Sequence, residues 1–140
     1  MKKFTYFSAV IMLIMACEPE IKGSPDRFKN GVFEVPAVKG MSKSTLIRRD
    51  SLQIEKYTKY KEISTDSGVF TIEEKKIDTF FIQWKNNFFY TAKMKSPKTD
   101  IDRETMYYQI TKVSENSYDF SMRIGYSEFR QTGTVYKVSD

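Results

Sequence analysis

The sequence contains no histidine and a single cysteine, Cys17. The first absence removes imidazole acid–base catalysis and every histidine-containing zinc or copper site. The second removes any internal disulfide, so the fold has to be held by its core. No apolar run reaches the roughly 20 residues needed to cross a bilayer as a helix; the longest, Phe4 to Met15, is about a dozen. Basic residues are dispersed in small clusters, and the formal net charge of +5 is a mild excess, so no nucleic-acid partner is expected. No two carboxylates stand out as the pair that glycoside chemistry needs, and the serines have no histidine to activate them. Asp100-Ile101-Asp102-Arg103-Glu104 alternates oxygen ligands as calcium loops do, but it lacks their central glycine and terminal bidentate glutamate. The reading is of a non-enzymatic protein with no metal and no cofactor.

What the chain does have begins at its N-terminus. Lys2 and Lys3, the apolar run to Met15, Ala16 and then Cys17 follow the order of a bacterial secretion signal. A cysteine just after the small residue resembles a lipobox, Ile14-Met15-Ala16-Cys17, in which the thiol is acylated and becomes the mature N-terminus. Residues 1–16 are therefore expected as a lipoprotein signal peptide, residues 17–27 as a lipidated (palmitate-type) cysteine with a flexible tether, and residues 28–140 as one β domain. A buried helix or plain signal cleavage without acylation are the competing readings. Pro19 and Pro25 argue against regular structure in the tether. Glu18 and Glu20 loosely resemble surface-sorting signals of Bacteroidetes lipoproteins. The expected place is the cell envelope, lipid-anchored, at the outer membrane.

From Phe28 onward the pattern is strand after strand. Val32 to Val35, Ser44 to Asp50, Leu52 to Tyr60, Val69 to Glu73, Lys76 to Trp84, Phe88 to Met94, Met106 to Val113, Tyr118 to Ile124 and Phe129 to Val138 are separated by turn-forming runs. Alternation is clear in several: Phe80, Ile82 and Trp84 share one face, and Leu52 and Ile54 oppose Gln53 and Glu55. Short connections favour antiparallel neighbours. An all-β antiparallel meander of eight or nine strands is expected, closing into a small lipocalin-like barrel or curved half-barrel, with a two-sheet sandwich as the alternative.

Phe80, Trp84, Tyr90, Tyr108 and Phe120 are the candidate lining of a ligand cavity; with Phe88 and Tyr118 they would equally well fill a barrel interior. Arg48, Gln53 and Glu55 form a candidate polar handle, with Arg48 and Glu55 expected to face each other across a hairpin turning near Asp50-Ser51. Phe81, Phe89 and Tyr107 fall on the opposite face and offer a docking surface.

The Cys17 signal, Phe28-Lys29-Asn30-Gly31-Val32-Phe33, Arg48-Arg49-Asp50-Ser51-Leu52-Gln53-Ile54-Glu55, the Trp84 hairpin and Gly133-Thr134-Val135 together resemble a family of small flavobacterial lipoproteins. Some of its members carry the label DNA topoisomerase IV, for which these residues offer no strand-cleaving machinery. The resemblance implies an envelope location and a β fold, and no activity. Two readings follow: a membrane-anchored module binding a small apolar or amphipathic ligand inside the barrel, or an interaction lipoprotein with a filled core that docks to an envelope protein.

Overall fold

Period-two alternation with short polar turns produces a closed antiparallel barrel. The computed structural model describes residues 20–140, so the expected signal peptide and Cys17 lie outside the described residues. Eight strands run up and down: β2 (Gly31–Val35), β3 (Ser44–Arg49), β4 (Leu52–Thr65), β5 (Gly68–Asn86), β6 (Phe89–Met94), β7 (Met106–Val113), β8 (Ser117–Ile124) and β9 (Gln131–Ser139). Each pairs antiparallel with the next, and β9 returns to β2 through Phe33↔Lys137 and Glu34↔Tyr136. Closure leaves no edge around the barrel wall, which answers the edge problem a long meander creates. The half-barrel and the sandwich are therefore set aside.

The strand ends define two unlike ends. At one, the turns after β3, β5 and β7 gather around the start of β2; this end is closed. The other is open and carries the 36–43 connection, the 95–105 loop with a short 3-10 turn (Ile101–Arg103), and the 125–130 loop. Gly133 makes room inside: a Cβ there would sit 2.9 Å from the Phe120 ring, which crosses the interior from the neighbouring strand.

Two regions depart from the sequence reading. The stretch read as tether is docked from Glu20 onward. A two-residue strand, β1 (Glu20–Ile21), runs parallel to the end of β7, and a 3-10 turn (Pro25–Phe28) follows. Arg27 explains it, donating to the carbonyls of Lys22, Ser24, Ser114 and Glu115 and so tying the strap to the β7–β8 turn. Phe28 then enters the closed end and is fully buried. Second, Val69 to Glu73 and Lys76 to Trp84 are one strand. The charged run Glu73-Glu74-Lys75-Lys76 reads as a break but pairs in register with Tyr60, Lys59, Thr58 and Tyr57 of β4. Opposite charges at Lys59↔Glu74 suit that ladder.

The result is a two-stranded arm. β3 accompanies β4 only to Lys56, and β6 meets β5 only from Phe80. Beyond those points the β4–β5 hairpin projects past the open end of the barrel.

Candidate functional site

The closed half is filled around one charge. Arg48 points inward from β3 and is 1 % exposed. Its Nε donates to Gln53 Oε1 (2.7 Å), Nη1 to the Phe28 carbonyl (3.1 Å), and Nη2 to the hydroxyls of Tyr90 (3.0 Å) and Tyr118 (2.6 Å). The guanidinium also lies 4.9–5.9 Å from the rings of Phe33, Tyr90, Tyr118 and Trp84. Burial works against the charge, but the Tyr118 and Tyr90 oxygens outweigh it and hold the guanidinium above its ordinary value. The same burial pushes the Tyr90 hydroxyl well up, with Arg48 pulling the other way. A buried ion is tolerable only when it is hydrogen-bonded, and each of the three guanidinium nitrogens has an acceptor. Beside it, Trp84 packs on Tyr90 with ring centroids 4.6 Å apart, and its buried Nε1 has no acceptor among the described residues.

The expected facing pair is corrected by register. The Asp50-Ser51 turn sets Arg49 against Leu52, which places Gln53 directly opposite Arg48 and Glu55 opposite Leu46. Asp50 takes the positive φ (55°) that this tight turn requires. Arg48 is thus a component of the core, Gln53 stands between that core and the open half, and Glu55 belongs to the open half.

That half holds two cavities of about 210 and 220 Å³ that share Met41 and Glu55 as wall. The first reaches Ser44, Gln53, Tyr90, Tyr108 and Phe120. The second reaches Tyr57, Asp78, Phe80, Asp102 and Glu104, against Met94 and Met106. Glu55 and Asp78 are cross-strand partners on the inner face. Burial raises the Glu55 pKa; Asp78 adds to the rise, while the Ser44 side chain and Arg48 oppose it. Tyr57 donates to Asp78 at 2.7 Å, and burial followed by that carboxylate pushes its hydroxyl up. Burial also raises Tyr108, with Glu55 adding.

Of the predicted lining, Tyr90, Tyr108 and Phe120 share the first cavity, Phe80 lines the second, and Trp84 lies at the closed end away from both. Asp102 caps its own loop, accepting from the backbone of Lys98 and Thr99, and those N–H groups lower its pKa. Among the described residues no cluster of acidic or thiol side chains is placed to hold a metal ion. Sequence reasoning counted Asp78 among the carboxylates without pairing it and passed over Tyr57, although they lie two positions along the same face from Phe80 and Glu55 respectively.

Outside, the predicted docking face divides. Phe89 and Tyr107 meet with centroids 6.4 Å apart, and Arg123 lies over Tyr107, whereas Phe81 sits apart, opposite Leu52. The larger apolar exposure is on the arm and the open rim: Val69 is 66 % exposed, Phe70 53 % and Ile72 48 %, with Ile101, Tyr126 and Phe129 on the rim loops. The β4 side of the arm is covered by the 40–42 segment through Tyr60 N–H to Gly40 and Ser42 N–H to Thr58. Among the described residues no backbone group pairs with the outer edge of β5 between Gly68 and Asp78.

No protein-family model matches the chain, and no curated protein matches it. The functional reading therefore rests on the geometry.

Proposed function

We propose that the protein is a non-enzymatic interaction module of the cell envelope, anchored through an acylated Cys17 and docking to a partner protein with its arm. The observation that carries this is the pairing of a filled barrel with a projecting strand edge. Arg48, Tyr90, Tyr118 and Phe28 occupy the closed half, so no lipocalin-like cavity runs along the axis. The clefts inside the barrel, about 210 and 220 Å³, fall below the roughly 300–1,000 Å³ of pockets that enclose drug-sized ligands, and the larger hollow of about 610 Å³ lies on the open rim, between the 95–105 and 125–130 loops. Meanwhile the β5 edge presents backbone that is unpaired among the described residues, with Phe70 and Ile72 on one face and Val69 on the other. A free, partly apolar edge is what a partner strand adds to, with backbone bonds giving affinity and alternate side chains giving selectivity.

Placement supports the same reading. The chain enters the barrel at the closed end, where β1 pairs with Val113 of β7, and the arm leaves from the other end. An anchor at Cys17 would hold the closed end toward the bilayer and present the arm away from it. The resemblance to flavobacterial lipoproteins leads to the same location.

A photo-crosslinking residue at Phe70, compared with one at Asn116 in the closed-end turn, tests the docking. A discrete adduct from position 70 and none from position 116 is expected in intact cells. Equal labelling, or adducts from position 116 alone, contradicts it. The anchoring is tested separately: Cys17→Ser should move the protein from the membrane to the aqueous fraction.

A further inference from the structure

The free edge of β5 carries its charges in an order that complements itself. The arm turns on Asp66-Ser67, so Thr65 and Gly68 bond each other, and every second residue of β5 from Gly68 onward bonds to β4. The residues between them, Thr71, Glu73, Lys75 and Ile77, aim N–H and C=O outward. The next in that phase, Thr79, does so visibly, since its carbonyl accepts from Lys95 N–H where β6 has just left β5. Residues 73–76 on this edge read Glu-Glu-Lys-Lys. A second copy running parallel and in register sets like charge on like. Running antiparallel, it sets acid against base, so the block selects the antiparallel direction.

Symmetry narrows the register. A two-fold axis through an antiparallel pair stands along the sheet normal and passes between one residue and its own copy. Centred on Glu73, the pairing joins two carboxylates and matches no acid with a base. Centred on Lys75, it joins two ammonium groups and pushes Thr71 onto Thr79, whose carbonyl is taken. Centred on Glu74, it uses all four outward residues: Glu73 meets Lys75 and Thr71 meets Ile77, twice each, for about eight backbone bonds. The two Glu74 carboxylates then adjoin, but each already accepts from Lys76 of its own chain and has Lys59 opposite on β4. That bond, with Lys59 and Lys98 assisting, holds the carboxyl below its ordinary value. Ile72 comes against the aliphatic stem of Lys76 from the second copy, and the exposed Ile77 against Thr71. The added strand prolongs the line of β6, which parts from β5 at Phe80↔Met94.

We propose that the arm pairs with the arm of a second copy, β5 against β5, antiparallel about Glu74. This rests on the docking reading and names its partner. The same edge serves both copies and is used once in each, while the 40–42 segment holds the β4 side at Thr58 and Tyr60, so assembly closes at two. In the dilute single copy the outward amides of β5 stay open, and pairing protects them.

The test is made on the full chain in intact cells under a mild oxidant, with cysteine placed in turn at 73, 74 and 75. All three side chains lie on the arm, and Glu74 is 60 % exposed, so folding is not at stake. Across a non-hydrogen-bonded pair the Cα atoms stand about 4.5 Å apart, within disulfide reach, whereas positions 73 and 75 lie two residues out of step with their own copies and beyond about 7 Å. Glu74→Cys should therefore give a linked dimer about tenfold or more above Glu73→Cys, Lys75→Cys and the natural chain. The photo-crosslinker at Phe70 should give an adduct of twice the chain's mass. Lys75→Glu should cut that adduct about tenfold, and Glu73→Lys with Lys75→Glu should restore it, because exchanging both charges rebuilds the pair across the axis. Equal linking at the three positions, no linking at 74, or no rescue by the exchange would overturn the proposal. A position-70 adduct with a different protein, and none with a second copy, overturns it while leaving the docking reading in place; no adduct of any kind overturns both.

Discussion

At the closed end, Arg48 is buried with four oxygen acceptors and four aromatic faces arranged around it. At the open end, Glu55 and Asp78 oppose each other across a cleft that, among the described residues, no cationic side chain lines. Both are charges inside the same small barrel; Arg48 is ringed by acceptors, while Asp78 accepts from Tyr57 and Glu55 from Ser44 but the two carboxylates still face each other. Where a buried charge is matched internally, as at Arg48, burial hardens the structure. Where like charges face each other on one sheet face, the arrangement is destabilising. The arm extends the contrast from side chains to backbone, since the barrel wall pairs every strand while the outer edge of β5 between Gly68 and Asp78 is unpaired among the described residues.

The contrast can be broken most severely at its centre. Arg48→Met should cost about 3–5 kcal/mol in chemical denaturation, because the Phe28 carbonyl and the Gln53 oxygen lose their donor in a dry core. A near-neutral result would mean that the closed half is held by apolar packing alone. Arg27→Ala should cost about 1–3 kcal/mol and free the strap, seen as loss of amide protection at Lys22 and Phe28. Shortening the arm, by replacing residues 61–72 with an Asn-Gly turn between the paired Tyr60 and Glu73, should change stability by less than about 1 kcal/mol while abolishing crosslinking to the partner.

A pH comparison sharpens the open end. The folded-state pKa of Glu55 is raised, by burial first, above the ordinary 4.5. The protonated group therefore contributes stability that is fully present below that value and is lost as pH rises through the higher folded value. Glu55→Gln lacks this loss, so its stability relative to the natural chain should improve from pH 4 to pH 8. A constant difference across that range would count against the burial of this carboxylate. Smallest of all, Trp84→Phe should lie within about 1 kcal/mol, since lost ring area is set against removal of an unpartnered buried N–H.

Much of the barrel was legible because alternation and turn chemistry are local. Met106–Val113 and Gly31–Val35 follow directly from their patterns, and the aromatic set at Tyr90, Tyr118 and Phe120 does turn inward. The arm was obscured because Glu73 to Lys76 carries the composition of a loop, and only its partner strand makes it a ladder. The strap was obscured for a related reason. Pro19 and Pro25 signal irregular chain, while the docking comes from Arg27 reaching carbonyls some ninety residues away, about one full traverse of the fold. Arg48, Gln53 and Glu55 were found as a group, but which of them faced which depended on a two-residue turn. A shift of two residues there decides whether Gln53 or Glu55 stands opposite Arg48.

Residue-resolved amide hydrogen exchange tests the division between the two ends most directly. The account predicts that Leu46, Tyr118, Phe120 and Val135 exchange only with global unfolding. In the single copy, alternate amides of β5 between Gly68 and Asp78, facing the free edge, should exchange orders of magnitude faster. Uniform protection along β5, or rapid exchange around Arg48, would contradict it.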